Sequence, residues 1–231
     1  MHEPDTHKTI LVKILKDIYL DPDVRSALGF KGGTAAMLFY QLPRMSVDLD
    51  FDLLDETKEK AIMEKIPLIL KKYGDLEDST KKRFTLFFLL SYKKNNKKIK
   101  VEISRRSTSS SYESKSLFGI PMLVMKKEDM FANKIAALLT RRELAYRDVF
   151  DIWFFLDQET PINAALLKER TTFAYKEGLQ KALQKISAIR DNQILHGLGE
   201  LLDEKQKIWV KKSLRKELDF YLRLYMDKNA F

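Results

Sequence analysis

The stretch from Val47 to Phe51 constrains the fold most strongly, because apolar and acidic residues alternate along it. A period of two is typical of a β-strand with one buried face, so the carboxylates of Asp48 and Asp50 are expected to point to the same side. Two neighbouring carboxylates repel each other, and such a pair normally persists because a cation lies between them. Mg²⁺ is the ion expected here, with Mn²⁺ as the alternative, because it prefers oxygen ligands and is commonly completed by substrate phosphates.

A glycine pair precedes this strand and predicts a turn that is open to a phosphate group. Gly32 and Gly33 lack the Cβ atoms that would keep backbone N–H groups away from a ligand. Thr34 is expected to cap a helix that begins at Ala35, so a phosphate would lie at the start of that helix, across from the metal. A glycine pair alone is most often a plain turn, and the prediction depends on its combination with the acidic strand.

The combined pattern resembles the nucleotidyltransferase toxin family of the AbiEii/AbiGii type, within the polymerase-β-like nucleotidyltransferase superfamily. In that family a G-G-T-(A/S) turn leads through a helix and a basic residue to an S-x-D-L-D-F strand. Here the turn is Gly32–Ala35, and the basic residue and strand are Arg44–Phe51. The wider superfamily usually has a G-S turn, and Thr34 keeps the hydroxyl while adding a methyl group.

A second block strengthens the resemblance, which then covers most of the first 157 residues. The family typically has a lysine helix followed by R-D-x-x-D, and Asn133–Leu138 and Arg147–Ile152 match these in order and spacing. The resemblance implies that Lys134 contacts a triphosphate, for which a compact ammonium group is suited.

The two aspartates of the second block have a less certain assignment. Asp148 and Asp151 are three residues apart on a predicted helix, so they share one face and are able to converge on one site. The resemblance implies that one of them positions the sugar or the acceptor, or orients Lys134 and Arg147. An ion pair between Arg147 and Asp151 that merely closes the helices is an equally good interpretation.

A predicted hairpin supplies a third acidic candidate. Lys82–Tyr92 is an apolar run typical of a strand buried on both faces, Asn95 and Asn96 mark a turn, and Ile99–Ser104 should return antiparallel. Glu102 then lies on the polar face of the returning strand and is a candidate metal ligand beside Asp48 and Asp50. The alternative is a solvated ion pair with a neighbouring basic residue, but the family carries an acidic residue on this strand. Asp52 also lies on the acidic face of its strand and is a weaker candidate.

The order of the elements predicts an α+β fold, with an N-terminal mixed β-sheet flanked by helices and a C-terminal helical bundle. We expect a catalytic domain over residues 1–125 and a helical domain over 126–231 that contributes to the active site. Arg105–Lys115 is predicted to be a loop. Predicted strands outside the hairpin are Leu28–Lys31, Val47–Phe51 and Phe118–Met125, with an extended crossover as the alternative for the last. Predicted helices are Thr9–Leu20, Ala35–Tyr40, Lys58–Tyr73, Glu128–Leu139, Tyr146–Leu156, Ala164–Thr172, Tyr175–Ile189, Gln193–Leu202 and Lys205–Met226.

Composition narrows the class of function. The net charge of +9 indicates a polyanionic partner, with nucleic acid as the first candidate. The chain has no cysteine, which excludes disulfides and thiolate chemistry. The polar start of the chain does not resemble a signal peptide, and no apolar run is long enough to span a bilayer, so no membrane association and a cytoplasmic location are expected.

Together these patterns predict a toxin of a toxin–antitoxin system, of the abortive-infection type, that transfers NMP from an NTP to an acceptor hydroxyl. The acceptor expected is a tRNA 3′ end or another RNA, and the resemblance implies a cognate antitoxin. Alternatives are a protein-nucleotidylating or phosphorylating enzyme of the same fold, and a non-catalytic nucleotide- or RNA-binding module. Expected catalytic residues are Asp48, Asp50, Glu102, Lys134, Asp148 and Asp151, of which the first three bind metal. Expected substrate-binding residues are Gly32, Gly33, Thr34, Arg44, Ser46, Lys134 and Arg147.

Overall fold

A computed structural model of the chain describes residues 3–92, 97–107 and 109–228. The chain divides into two compact units. The first, here called the sheet unit, comprises Met1–Gln41 and Ser46–Lys126, and the second, the helical unit, comprises Leu42–Met45 and Lys127–Phe231. The predicted hairpin turn at Asn95 and Asn96 lies outside the described residues.

Within the described residues of the sheet unit, seven strands form one mixed sheet. The strands are β1 Leu28–Lys31, β2 Leu49–Leu53, β3 Asp75–Lys81, β4 Thr85–Tyr92, β5 Lys97–Ser104, β6 Tyr112–Leu117 and β7 Ile120–Met125. Their spatial order is β3-β4-β5-β2-β1-β7-β6, with β2–β5 and β1–β7 parallel and the other neighbours antiparallel. The helices are α1 Glu3–Leu20, α2 Gly32–Phe39 and α3 Glu59–Leu70. The predicted mixed sheet with flanking helices is confirmed.

One face of the sheet forms the core of this unit. The buried residues of β5 are Ile99, Val101 and Ile103, which alternate with partly exposed polar residues as the sequence predicts. Phe51 of β2 is fully buried and contacts Phe30 of β1 at a ring-centroid distance of 5.2 Å. Each such side chain contributes about 1.5–3 kcal/mol when it leaves water. The opposite face of β2 and β5 is therefore left to the polar residues.

At the β3 edge of the sheet, one strand differs from its prediction and a second was not predicted. The strand predicted over Lys82–Tyr92 begins at Thr85, and its burial alternates, so burial on both faces is wrong. It alternates because β4 is covered by the core on one side only. A strand that the sequence did not predict, β3, pairs with it. β3 is almost entirely polar, which is tolerated because an edge strand can face water and charge protects it from further pairing.

The other edge of the sheet also corrects a prediction. The loop predicted over Arg105–Lys115 ends early, because β6 begins at Tyr112 and pairs with β7. Phe118 and Gly119 join these strands with φ of 51° and 79°. Positive φ at both positions is typical of the two-residue turn that matches the twist of a hairpin. β6 was not predicted, because its sequence is largely polar and a sharp turn follows it.

The helical unit contains the helices predicted after Lys126. They are α4 Lys127–Thr140, α5 Tyr146–Asp157, α6 Ala164–Thr171, α7 Tyr175–Ser187, α8 Glu204–Trp209 and α9 Arg215–Lys228. The helix predicted over Lys205–Met226 is confirmed as one continuous helical stretch, in which a π-helical segment, Val210–Leu214, joins α8 to α9. The helix predicted over Gln193–Leu202 is wrong. Gly197 has φ of 63° and the region forms turns, because glycine disfavours a helix interior.

No helix within the described part of the chain has the length and hydropathy needed to cross a membrane. A half-buried aromatic group joins three helices of the helical unit. Trp153 and Trp209 lie with ring centroids 4.4 Å apart, and Phe150 contacts both rings. Both indole N–H groups donate to the carboxylate of Glu217 on α9. This shared acceptor links α5, α8 and α9.

Candidate active site

Two of the predicted acidic residues lie side by side on neighbouring parallel strands. In the register of β2 and β5, Asp50 is opposite Glu102. Such strands are about 4.8 Å apart, and opposite residues direct their side chains to the same face. Asp48 lies just before β2, which begins at Leu49 and not at Val47 as predicted. The predicted adjacency of the two strands is confirmed, while the metal-binding role of the three carboxylates stays a prediction.

The glycine turn leads from β1 directly into α2. Gly32 has φ of +78°, a left-handed backbone conformation that glycine adopts without strain. The helix begins at Gly32, so Thr34 lies in its first turn and the prediction that Thr34 caps it is wrong. The Thr34 hydroxyl instead donates to the backbone carbonyl of Asp48, at 2.5 Å. The threonine therefore fixes the start of the acidic strand against the glycine turn.

In the part of the chain that the structure describes, the side chain of Lys31, the N-cap residue of α2, makes no capping hydrogen bond. The first N–H groups of a helix have no partner inside it, and they carry the positive end of the helix dipole. The backbone around Gly33 and Thr34 is thus arranged to bind an anion, as the sequence predicts for a phosphate. Binding of a substrate phosphate by these N–H groups stays a prediction.

Gly32 is also required by the acidic strand. A Cβ atom built at Gly32 would collide with the carboxylate of Asp50. The absence of a side chain therefore allows the glycine turn and the Asp50 carboxylate to lie in contact. This is the closest connection between the two motifs that the sequence predicted to act together.

Gly32→Ala is expected to abolish the nucleotidyl transfer that the family resemblance implies. It should also lower the free energy of unfolding by about 1–2 kcal/mol, the cost of a left-handed conformation for alanine. Gly119→Ala is the matched control, because Gly119 has φ of +79° and nothing lies within 4 Å of a Cβ there. Urea denaturation and transfer assays of both variants separate backbone strain from displacement of Asp50. Equal activity in the two variants would contradict this role of Gly32.

Asp52, the weaker metal candidate, is engaged in a buried network. Its carboxylate is 1% exposed, accepts a hydrogen bond from Tyr112 at 2.5 Å, and pairs with the Lys31 ammonium at 2.5 Å. The Tyr112 ring occupies the space that a Cβ at Gly29 would fill. Because both oxygens of Asp52 have partners within the sheet unit, we assign it a structural role. Sequence reasoning missed Tyr112, since it lay in a predicted loop 60 residues away.

Tyr112→Phe is expected to lower the free energy of unfolding by about 1–3 kcal/mol, because it leaves an oxygen of a buried carboxylate without its donor. Tyr221→Phe is a suitable control. The Tyr221 hydroxyl lies 3.4 Å from Asp157 at an exposed position, and its loss should cost less than about 0.5 kcal/mol. Urea denaturation measures the free energy of unfolding of both variants. Equal losses of stability would show that the hydrogen bond from Tyr112 to Asp52 stabilises the fold no more than an exposed one.

His7 of α1 fixes the residue before Asp48 and was also missed. Its Nε2 donates to the carbonyl of Val47 at 3.0 Å, and its Nδ1 accepts from the Tyr92 hydroxyl at 2.5 Å. A carbonyl can only accept, which places the proton on Nε2. Burial lowers the pKa of His7, in agreement with a neutral ring. No sequence pattern predicts this contact, because a single histidine on a helix does not indicate its partner.

In the helical unit, Asp148 and Asp151 of α5 converge on Lys134 of α4. The Lys134 Nζ lies 2.7 Å from an oxygen of each carboxylate. The convergence that their spacing predicts is therefore confirmed. Burial alone would lower the pKa of Lys134, but the two carboxylates outweigh it and raise that pKa. Lys134 is accordingly charged, and its side chain is 16% exposed.

Arg44 completes this cluster from the segment Leu42–Met45. Its guanidinium forms a bidentate pair with Asp151, with Nε–Oδ1 and Nη2–Oδ2 distances of 2.6 and 2.7 Å. The Arg44 and Asp151 side chains are 2% and 0% exposed. Burial would raise the pKa of Asp151, yet Arg44 and Lys134 together hold it below its usual value. This charged pair is inaccessible to solvent, which favours a positioning role for Arg44.

Among the described residues, the other polar residues around this cluster and in the predicted substrate site are not held in buried ion pairs as Arg44 is. Arg147 is exposed, and in the described part of the chain its alternative pairing with Asp151 is not formed, because Asp151 pairs with Arg44 and Lys134. Arg141 lies 2.6 Å from Asp148 Oδ2, an ionic contact without the alignment of a hydrogen bond. Ser46, a predicted substrate contact, is 9% exposed. The substrate roles of Arg147 and Ser46 stay predictions.

Comparison with solved structures finds this α+β fold in proteins of Helicobacter pylori. The crystal structure of JHP933 has a TM-score of 0.65 at 19% identity, over 99% of this chain and 94% of that chain. A second protein, described as a candidate nucleotidyltransferase, has a TM-score of 0.65 at 20% identity, over 99% of this chain and 96% of that chain. At this identity the similarity establishes a shared fold. No curated protein sequence matches the chain significantly.

The family is established by sequence. The family model described as nucleotidyl transferase AbiEii toxin, type IV toxin–antitoxin system, matches residues 13–220. The chain therefore belongs to the AbiEii nucleotidyl transferase toxin family, as its motifs predicted. Membership implies an NTP substrate and an antitoxin partner.

Proposed function

We propose that this protein transfers NMP from an NTP, with Mg²⁺, to the 3′ end of a tRNA. The observation that carries the proposal is the register that places Asp50 opposite Glu102, with the Asp50 carboxylate against Gly32. Acidic ligands and a phosphate-binding turn are then adjacent within one unit. This combination is what a reaction on a metal-bound triphosphate requires.

The residues present fit a magnesium ion. Asp48, Asp50 and Glu102 would hold it, because they offer oxygen ligands on one half-buried polar face. Within the described residues no three histidine or acidic side chains form a ready metal cage. Mg²⁺ does not need one, since it keeps water ligands and binds through one or two carboxylates plus phosphates. When bound, it would stabilise negative charge on the attacking and leaving oxygens.

The sheet unit supplies the other parts of this chemistry. The first N–H groups of α2 bind a phosphate, and the missing side chain of Gly32 lets it approach. Thr34 keeps the start of the acidic strand in place through the Asp48 carbonyl. Glu102 shares in metal binding or accepts the proton of the acceptor hydroxyl. Each role belongs to a residue fixed by sheet register or by a described hydrogen bond.

For the helical unit we propose that Lys134 binds phosphate. Asp148 and Asp151 accept from its ammonium group and hold it in one orientation, while a further N–H remains for a ligand. Arg44 in turn fixes Asp151. Preorganisation of this kind lowers the cost of binding a charged group.

The net charge of the chain supports the choice of acceptor. A net charge of +9 favours a polyanion over a protein hydroxyl, and tRNA supplies both the phosphates and a free terminal hydroxyl. We propose that the reaction takes place in the cytoplasm, where tRNA is found. Nucleotidylation or phosphorylation of a protein is the second candidate, and it is tested in the same experiment.

The test is transfer from α-labelled ATP, CTP, GTP and UTP, each incubated with Mg²⁺ and either total tRNA or lysate protein freed of nucleic acid. Label on tRNA, lost with EDTA and in Asp48→Ala, is expected. Label on protein alone would identify a protein, and not tRNA, as the acceptor. NTP binding without transfer to either pool would establish a binding module instead.

A further inference from the structure

An aromatic residue is exposed between two arginines at one end of the sheet. Phe84, in the turn between β3 and β4, is 43% exposed. The guanidinium carbons of Arg83 and Arg106 lie 4.8 and 4.9 Å from its ring centroid. We call these three residues the arginine–phenylalanine cluster. A single exposed apolar ring is common at a protein surface, but a ring held between two guanidinium groups combines a stacking surface with positive charge.

The cluster has a fixed support. Arg105 donates from Nη1 to the carbonyls of Lys82 and Arg83, at 3.2 and 2.9 Å, and its Nε lies 2.5 Å from Glu59. Its backbone N–H donates to the carbonyl of Phe84 at 2.9 Å. Arg105 is therefore used to hold the turn. In the ranges that the structure describes, neither Arg83 nor Arg106 forms an ion pair with a carboxylate.

The cluster lies where β4 begins and β5 ends, in the same sheet that carries the acidic residues. The Lys82 ammonium lies 3.8 Å from the ring centroid of Phe87 on β4. Phe87 is opposite Glu102, and Glu102 is opposite Asp50. Two strand spacings, about 10 Å, therefore separate Phe87 from Asp50. A stacked single strand that rises about 3.4 Å per nucleotide crosses this distance within a few nucleotides.

We propose that the arginine–phenylalanine cluster, with Lys82 and Phe87, docks the single-stranded end of the acceptor RNA. Guanidinium groups bind phosphates, and both guanidinium planes and aromatic rings stack on bases. An acidic protein would use the charges but not the stacking surface, which favours RNA. This inference rests on the proposed function, because it assigns the position of the acceptor in the same reaction.

The test uses a labelled single-stranded RNA of about 12 nucleotides, without NTP, titrated against the full chain at several salt concentrations. In Arg83→Ala/Arg106→Ala, we expect weaker binding and a slope of log affinity against log salt reduced by about 0.7 per arginine. In Phe84→Ala, we expect about tenfold weaker binding with the slope unchanged. The control is Arg25→Ala/Arg190→Ala, which removes two exposed arginines elsewhere and should change affinity far less.

Transfer kinetics separate the inference from the function on which it rests. The cluster variants should raise the KM for tRNA and leave the KM for NTP unchanged. Equal RNA binding by wild type, cluster variants and control would overturn the docking site even if tRNA is labelled. Binding of an acidic protein but no RNA by the wild type would overturn it too. If a variant unfolds, Arg83→Gln/Arg106→Gln replaces it.

Discussion

Asp50→Asn is expected to reduce nucleotidyl transfer by about a thousand-fold and to leave the fold intact. The substitution keeps the shape of the side chain and removes its charge, which is what binds a divalent cation. Loss of several kcal/mol of charge stabilisation in the transition state corresponds to a reduction of that size. Steady-state transfer of label to tRNA measures it, with circular dichroism as the check on folding.

Asp75→Asn is the matched control for this prediction. Asp75 is an exposed carboxylate on β3, the edge strand of the same sheet, and its loss should leave turnover unchanged. If Asp50→Asn keeps more than about a tenth of wild-type turnover with Mg²⁺, Asp50 does not bind a required ion. The pairing of Asp50 with Glu102 in the register of β2 and β5 would then contribute to the fold and not to catalysis.

Asp151→Ala is expected to lower the free energy of unfolding by about 3–5 kcal/mol, the largest stability effect of any single change considered. The Arg44 guanidinium, 2% exposed, would be left buried without its bidentate partner, and Lys134 would lose one of its two carboxylates. Urea denaturation measures the loss. Asp191→Ala is the control, because its pair with Arg215 is exposed and its loss should change the free energy of unfolding far less.

A double variant and a pH series refine this result. Arg44→Leu/Asp151→Leu removes both charges and should recover part of the loss. The pKa of Asp151 is depressed in the folded state, so its stabilisation is complete above its unfolded pKa of about 4 and is lost as the pH falls through the folded value. The difference between wild type and Asp151→Ala should therefore shrink below about pH 4. A difference that grows there would contradict the ion-pair explanation.

What the sequence predicted well depends on local pattern. The alternation around Asp50 and the alternation of β5 each depend on burial of one sheet face, so both were readable along the chain. The convergence of Asp148 and Asp151 follows from helix geometry in the same way. Their common partner, Lys134, was identified by the family resemblance and confirmed as a neighbour by the structure.

What the sequence failed to predict depends on contacts across long separations. Arg44 and Asp151 are 107 residues apart, and His7 and Val47 are 40 apart. Periodicity carries no information about such pairs. The sequence predicted that Thr34 caps a helix because threonine favours that position, but its hydroxyl donates to the carbonyl of Asp48, just before β2. β3 was missed because an edge strand does not need an apolar pattern.

Gly32 has an evolutionary consequence. Its positive φ and its contact with the Asp50 carboxylate are independent demands on one position, and asparagine, which tolerates the first, cannot meet the second. Random mutation at this codon is therefore expected to yield mostly inactive chains and few enzymes of intermediate activity. A cell that must escape such a toxin has in this codon a target where nearly every amino-acid change disarms it. Adaptation that preserves activity has to proceed at other positions.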